Sequence, residues 1–103
     1  MVWIMTDTRK KVYHRRFPAR YICWEIAIRV YQSCPSSRFT AAMVGEMVGM
    51  GPRAAGQKLM SMEGAGMVHR VDRQYGRGTH TWWEFTPAFR QFMDENGRAY
   101  GCV

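Results

Sequence analysis

The chain has 103 residues, 47% of them hydrophobic, and its fifteen Lys and Arg against eight Asp and Glu give a formal net charge of +7. This size allows one domain, and the apolar content lies well above the range of disordered chains. The positive charge favours a polyanionic partner such as nucleic acid. No apolar run approaches the roughly 20 residues that span a bilayer, and residues 1–5 are too short for a signal peptide, so we expect a cytoplasmic protein without membrane contact.

The residues form no pattern typical of a catalytic or metal site. Cys23, Cys34 and Cys102 are odd in number and share no C-x-x-C spacing, and the three histidines form no ligand pair. The chain contains no nucleophile elbow, no P-loop and no paired-carboxylate arrangement. We therefore expect neither an enzyme nor a bound metal or cofactor.

The N-terminal segment, residues 1–17, is predicted to be a basic arm before a folded domain at 18–97, with a C-terminal tail at 98–103. Six of the fifteen basic residues lie within residues 9–20. Such an arm either tracks a DNA backbone, as homeodomain arms do, or is a solvated lead-in to the first helix. The arm residues that would contact DNA are Arg9, Lys10, Lys11, Arg15 and Arg16.

Pro18 suits the start of a helix, and the pattern predicts one over residues 19–32. This helix is apolar around most of its circumference, which is more than a small domain usually covers alone. Either the N-terminal segment folds over it or a second subunit does. We expect a homodimer through this helix, with Trp24, Ile28 and Trp82 contacting the second subunit or another partner.

Two shorter helices joined by a tight turn are predicted next. Thr40 is a suitable N-cap for a helix through Val48, because its hydroxyl can accept a free backbone N–H. Gly45 lacks a Cβ and so lets another backbone come close. Gly-Met-Gly at 49–51 breaks the chain, and Pro52 opens the second helix.

That second helix, to about Glu63, has two distinct faces. The spacing i, i+4 and i+7, typical of a core-facing stripe, is occupied by Ala55, Leu59 and Met62. The opposite face carries Arg53, Gln57, Lys58 and Ser61.

A β-hairpin and a last helix complete the pattern. Two extended runs, 67–73 and 80–86, flank a glycine-rich loop, as a hairpin requires. Pro87 begins the last helix. The order helix, turn, helix, basic hairpin predicts a winged helix-turn-helix, mainly α with a small β-hairpin (α+β), which would place one helix in a DNA groove.

Trp82 supports a second interpretation. If Trp83 and Phe85 point inward, alternation puts Trp82 on the outer face of the sheet beside Val68. An exposed Trp is either covered by the N-terminal segment or marks a protein contact. The alternative function is therefore a winged-helix module that binds protein, for instance a phage-encoded inhibitor or adaptor of host transcription machinery.

Two stretches resemble the winged-helix transcription regulators of bacteria and their phages, especially the MarR and PadR groups. In those families the recognition helix ends in a stretch like Leu-Glu-x-x-Gly-Leu-Val, and the wing ends in Leu-Thr-Pro. Here residues 62–68 read Met-Glu-Gly-Ala-Gly-Met-Val and residues 85–87 read Phe-Thr-Pro. The resemblance implies a small bacterial or phage regulator of transcription. It would bind specific double-stranded DNA, with a recognition helix at about 52–63 in the major groove and a wing at about 67–86 on the flanking backbone.

The resemblance also implies roles for individual residues. It makes the polar face of the recognition helix (Arg53, Gln57, Lys58 and Ser61) available to DNA, and it places Arg73, Tyr75 and Arg77 at the wing tip. Arg and Gln can pair with guanine and adenine through two hydrogen bonds, whereas Lys is better suited to phosphate. Full MarR proteins have further long helices that form their dimer and part of a small-molecule pocket. This chain is too short for them, so a small-molecule effector is doubtful.

Overall fold

The computed structural model describes residues 15–73 and 81–96, with the backbone alone described at Asp72 and Arg73. The elements in chain order are α1 (Tyr21–Ser33), α2 (Ala41–Val48), α3 (Pro52–Gly64), β1 (Val68–Arg73), β2 (Thr81–Phe85) and α4 (Pro87–Asn96). This order confirms the predicted winged helix-turn-helix. Over the two described ranges, no helix combines the length and the apolar character needed to cross a membrane.

The turn between α2 and α3 depends on two glycines. Gly49 ends α2 at a φ of 80°, in the left-handed region that favours glycine. The carbonyl oxygen of Gly45 accepts hydrogen bonds from the amides of Gly49 at 2.8 Å and Met50 at 2.9 Å. A Cβ on Gly45 would collide with the carbonyl oxygen of Met50, so the predicted close approach at this glycine is confirmed.

The start of α2 is held by the predicted cap. Thr40 Oγ1 accepts a hydrogen bond from the backbone amide of Met43 at 3.2 Å, which satisfies one of the donors left free at a helix N-terminus. At the start of α3, Gly51 lies at the N-cap position and Pro52 at the first helical position. Both helices of the helix-turn-helix therefore begin where the sequence predicts.

The end of α3 and the start of α4 are joined through Thr86. Its Oγ1 donates to the carbonyl oxygen of Gly66 at 2.8 Å and accepts from the amide of Phe89 at 3.1 Å, so it also caps α4. Its backbone amide donates to the carbonyl oxygen of Met67 at 3.0 Å. The two stretches that carry the family resemblance thus meet at one point in the fold.

The sheet is a two-stranded antiparallel hairpin with an extra bridge. Arg70 on β1 lies opposite Trp83 on β2, and the pairing becomes irregular between Arg70 and Arg73. On the other edge of β2, Phe39 and Trp83 exchange two backbone hydrogen bonds at 2.9 and 2.8 Å. The segment before α2 is therefore fixed to the base of the hairpin.

The prediction that Val68 lies on the outer face of the sheet is wrong. Val68 is 1% exposed and lies directly opposite Phe85, a core residue, and directly paired residues share a face. Met67, the residue before the strand, is buried as well, so burial does not alternate at the start of β1. Trp82, which was expected to be exposed, is half-buried.

An aromatic cluster joins the N-terminal segment to α1 and α4. Phe17 packs edge-to-face on Phe89 at 5.3 Å and on Phe92 at 5.5 Å between ring centroids. Trp24 contacts the same two rings, and its Nε1 donates to the carbonyl oxygen of Phe17 at 3.3 Å. Phe17, assigned to the arm by the sequence pattern, is therefore part of the core.

The structure also corrects the expected role of α1. Trp24 is 0% exposed and Ile28 is 3% exposed, so both belong to the chain's own core and neither presents a surface to a second subunit. The predicted excess of apolar surface is covered because α1 contacts α2, α3 and the aromatic cluster. Among the described residues of α1, Ile22 is the large apolar side chain left at the surface, 40% exposed.

Candidate nucleic-acid interface

A groove of about 550 Å³ lies between α2, α3 and the hairpin. One wall is the first turn of α2, and the opposite wall is the exposed side of α3. Arg70, Thr81 and Trp83 of the hairpin close the third side. The helix-turn-helix and the wing therefore share one continuous concave surface.

Arg53 and Gln57 lie on the groove side of α3. Both are exposed, and both line the groove. At 3.6 residues per turn, positions four apart project within about 40° of each other. Within the described part of the chain, neither side chain has a hydrogen bond or an ion pair. A guanidinium and a carboxamide thus lie side by side at an exposed surface.

The other two predicted residues of α3 lie away from the groove. Ser61 is exposed, about 40° further around the helix from Gln57. Lys58 is half-buried on the flank toward α1, where its positive charge acts on the Cys23 thiol. The structure therefore separates Lys58 from the pair Arg53 and Gln57, with which the sequence grouped it.

Arg70 holds the hairpin against α3. Its Nε and Nη2 both lie 3.2 Å from Oε1 of Glu63, near the end of α3. Its guanidinium also stacks over the ring of Trp83, 5.1 Å from the ring centroid. One side chain thus links α3, β1 and β2 beside the groove.

The outer face of the hairpin carries a group of polar contacts centred on Glu84. Glu84 of β2 lies 3.1 Å from His69 of β1, 3.9 Å from Arg38 and 3.7 Å from Arg90 of α4. These contacts connect the hairpin to the segment before α2 and to α4. The base of the wing is therefore held on both faces.

Several residues predicted to contact DNA lie outside the residues that the structure describes. Arg9, Lys10 and Lys11 of the arm and Tyr75 and Arg77 of the wing tip fall outside the described residues, and only the backbone of Arg73 is described. In the arm, Arg15 and Arg16 are described and exposed. Their contact with DNA stays a prediction.

The two cysteines that the structure describes lie apart from the groove. Cys23 is buried and Cys34 is half-buried, and both are free thiols. Burial raises the pKa of each thiol above its ordinary value. Within the residues that the structure describes, no three His, Cys, Asp or Glu side chains are arranged to hold a metal ion.

Two groove residues, Met60 and Arg70, were missed from the sequence. Met60 lies three positions after Gln57 and seven after Arg53, so the helical period places it on the same face. It was overlooked because a methionine in an amphipathic helix is usually a core residue. Arg70 was overlooked because the alternation of β1 was counted in the wrong phase.

The fold is shared with ZitR from Lactococcus lactis, a winged-helix regulator of the MarR group. A double mutant in apo form matches with a TM-score of 0.59 at 11% sequence identity, over 78% of this chain and 60% of that chain. A second structure of that mutant matches with a TM-score of 0.60 at 12% identity, over 95% of this chain and 68% of that chain. No protein-family model and no curated protein sequence matches the chain. At these identities the similarity establishes the fold. The match to the apo structure covers 60% of the ZitR chain, which is less than two thirds of its length.

Proposed function

We propose that this chain is a transcription regulator that binds specific sequences of double-stranded DNA, with α3 in the major groove and the hairpin on the flanking backbone. The observation that carries the proposal is the pair Arg53 and Gln57, exposed on the groove side of α3 and unpaired among the described residues. The fold shared with ZitR and the net charge of +7 support it.

The chemistry of this pair suits base recognition. A guanidinium can donate two parallel hydrogen bonds to O6 and N7 of guanine, and a carboxamide can pair with N6 and N7 of adenine. Both groups lie in the first half of α3, and the N-terminal residues of a recognition helix commonly contact base edges. Lys58, on the flank of the helix, would contact a phosphate, which carries no sequence information.

The wing would add contacts to the neighbouring backbone. The contact of Arg70 with Glu63 and Trp83 links the hairpin to α3. Arg73, Tyr75 and Arg77 would then reach phosphates or the minor groove beside the site read by α3. The basic arm would contribute in the same way.

The protein-binding alternative has less support. It needs an exposed apolar surface around Val68, Trp82 and α1. Val68 is 1% exposed, Trp82 is half-buried, and the apolar residues of α1 other than Ile22 are mostly buried in the chain's own core. The groove residues, in contrast, offer hydrogen-bonding groups at an exposed surface.

A homodimer remains part of the proposal. Two copies would present two recognition helices to a two-fold symmetric operator, which raises affinity and specificity together. Because Trp24 and Ile28 are core residues, the interface would use other surfaces, and Ile22 is the apolar part of α1 available to it.

Fluorescence anisotropy with a labelled random duplex tests DNA binding. We expect the affinity to fall steeply with salt, because each phosphate neutralised makes the slope of log K against log salt more negative by about 0.9. Arg29→Ala is a matched control for Arg53→Ala. Both remove one exposed positive charge, but Arg29 lies on α1 away from the groove. Arg53→Ala should weaken binding more. Absence of binding to any duplex at low salt would overturn the proposal in favour of the protein-binding alternative.

A further inference from the structure

Met60 is an apolar side chain in an unusual place. It is 55% exposed, more than Ile22 at 40% and Met43 at 37%, the other exposed large hydrophobic residues in the described chain. It lines the groove beside Gln57, on the side of α3 turned away from the core. Packing within the domain does not account for a methionine here, because more than half of its surface stays in water.

The geometry of α3 places Met60 in one row with Arg53 and Gln57. At 3.6 residues per turn, the three side chains project within about 60° of one another. With a rise of 1.5 Å per residue, the row is about 10 Å long, and this is roughly three base-pair steps of 3.4 Å. A helix laid along the major groove would therefore bring Met60 to a base edge in the same short site that Arg53 and Gln57 read.

Of the four bases, thymine alone presents an apolar group in the major groove, its C5-methyl. The edges of the other bases display hydrogen-bond donors and acceptors, which a methionine side chain cannot satisfy well. A thioether chain with three rotatable bonds can adjust to contact a methyl group.

We propose that Met60 is a specificity-determining residue that selects thymine by contact with its C5-methyl group, at the end of the site beyond the base contacted by Gln57. This inference rests on the proposed DNA binding. It adds a preference that hydrogen bonding alone does not supply, because Arg53 and Gln57 favour guanine and adenine.

The test uses the full chain and duplexes enriched from a random library. Each thymine of the enriched consensus is replaced in turn by deoxyuridine, which removes the C5-methyl and leaves base pairing intact. For the wild type, we expect one such replacement to weaken binding about fourfold, the effect of burying one methyl group. Met60→Ala should bind the thymine and deoxyuridine duplexes equally at that position.

Met43→Ala is the matched control, since Met43 is also an exposed methionine but lies on α2 and does not line the groove. This variant should keep the fourfold difference, and Met60→Leu should keep most of it. Thermal unfolding checks that each variant is folded.

The possible failures are distinguishable. If no duplex is enriched or bound, the proposed function itself is overturned, and the role of Met60 with it. If duplexes are enriched but the wild type never distinguishes thymine from deoxyuridine, DNA binding stands and the role of Met60 is wrong. A methyl preference that survives in Met60→Ala would also overturn it.

Discussion

Gly45 and Gly56 lie in the interiors of α2 and α3, yet we expect the same substitution to have opposite effects at the two positions. A Cβ at Gly45 would meet the carbonyl oxygen of Met50, and it would lie 3.4 Å from the carbonyl carbon and oxygen of Gly51. These are backbone atoms of the turn, which cannot rotate away. At Gly56 the nearest heavy atom is the Cβ of Ala41 at 3.8 Å, an ordinary contact.

The magnitudes follow from these contacts. Overpacking costs about 1–3 kcal/mol, and a backbone neighbour puts Gly45→Ala near the upper value. The better helix propensity of alanine returns about 1 kcal/mol, which leaves a net loss of about 2 kcal/mol in the free energy of unfolding. At Gly56, alanine improves the helix propensity and causes no clash. Gly56→Ala should therefore raise the free energy of unfolding by up to about 1 kcal/mol.

Thermal melts followed by far-UV circular dichroism measure the difference. In a domain of this size 1 kcal/mol corresponds to about 4–8 °C in Tm, so Gly45→Ala should melt roughly 8–16 °C below the wild type. Gly56→Ala should melt at or a few degrees above the wild type. A Gly45→Ala variant as stable as the wild type would refute the close approach of the turn to α2, and a destabilised Gly56→Ala would refute the absence of a clash at Gly56.

Three further predictions concern the core, the hairpin and the thiols. Ile28→Glu should unfold the domain, because it buries an unpaired charge. The Ile22→Glu variant should stay folded, and if the protein dimerises through Ile22 it should sediment as a monomer. A double-mutant cycle with Glu63→Ala and Arg70→Ala, measured by urea unfolding, should give a coupling of about 0.5–1 kcal/mol, since the pair is partly exposed. The Cys23 thiol should resist alkylation at neutral pH until denaturant is added, because burial raises its pKa and lowers the thiolate fraction. Rapid labelling of Cys23 in the native state would contradict its burial.

The sequence was most informative where a local chemical rule determines the backbone. Thr40 as a cap, Pro52 as the first residue of α3 and Gly45 at a close approach each have one stereochemical reason, and each was found where predicted. The same holds for the stripe Ala55, Leu59 and Met62, whose helical spacing predicts one buried face.

Two features of the fold depend on tertiary packing and could not be predicted from local sequence patterns: the cover of α1 and the inward-facing side of β1. The apolar circumference of α1 predicts a cover by either the N-terminal segment or a second subunit, and Phe17 of that segment covers it together with the aromatic residues of α4. Phe17 lies only four residues before α1, but α4 begins more than 50 residues after α1 ends, and periodicity within one helix cannot reveal that contact. The phase of β1 was wrong for a related reason, because its register is set by the pairing of Val68 with Phe85.

The candidate site was predicted in part. Arg53 and Gln57 lie where the polar face of α3 predicts, but Lys58 is on a different flank, and Met60 and Arg70 were missed. A polar-face rule identifies residues turned away from the core. It does not tell which of them share a groove with the hairpin, since that depends on the angle between α3 and β1.

The most direct test of α3 as the recognition helix is the ratio of affinities for an enriched duplex and a random duplex, measured by competition at fixed salt. Each bidentate base contact contributes about 1–3 kcal/mol of discrimination, whereas a phosphate contact is independent of sequence. Arg53→Ala and Gln57→Ala should therefore each lower the ratio by roughly 5- to 150-fold, and Lys58→Ala should weaken binding to both duplexes while leaving the ratio nearly unchanged. If all three substitutions lower both affinities by the same factor, α3 does not read bases through Arg53 and Gln57.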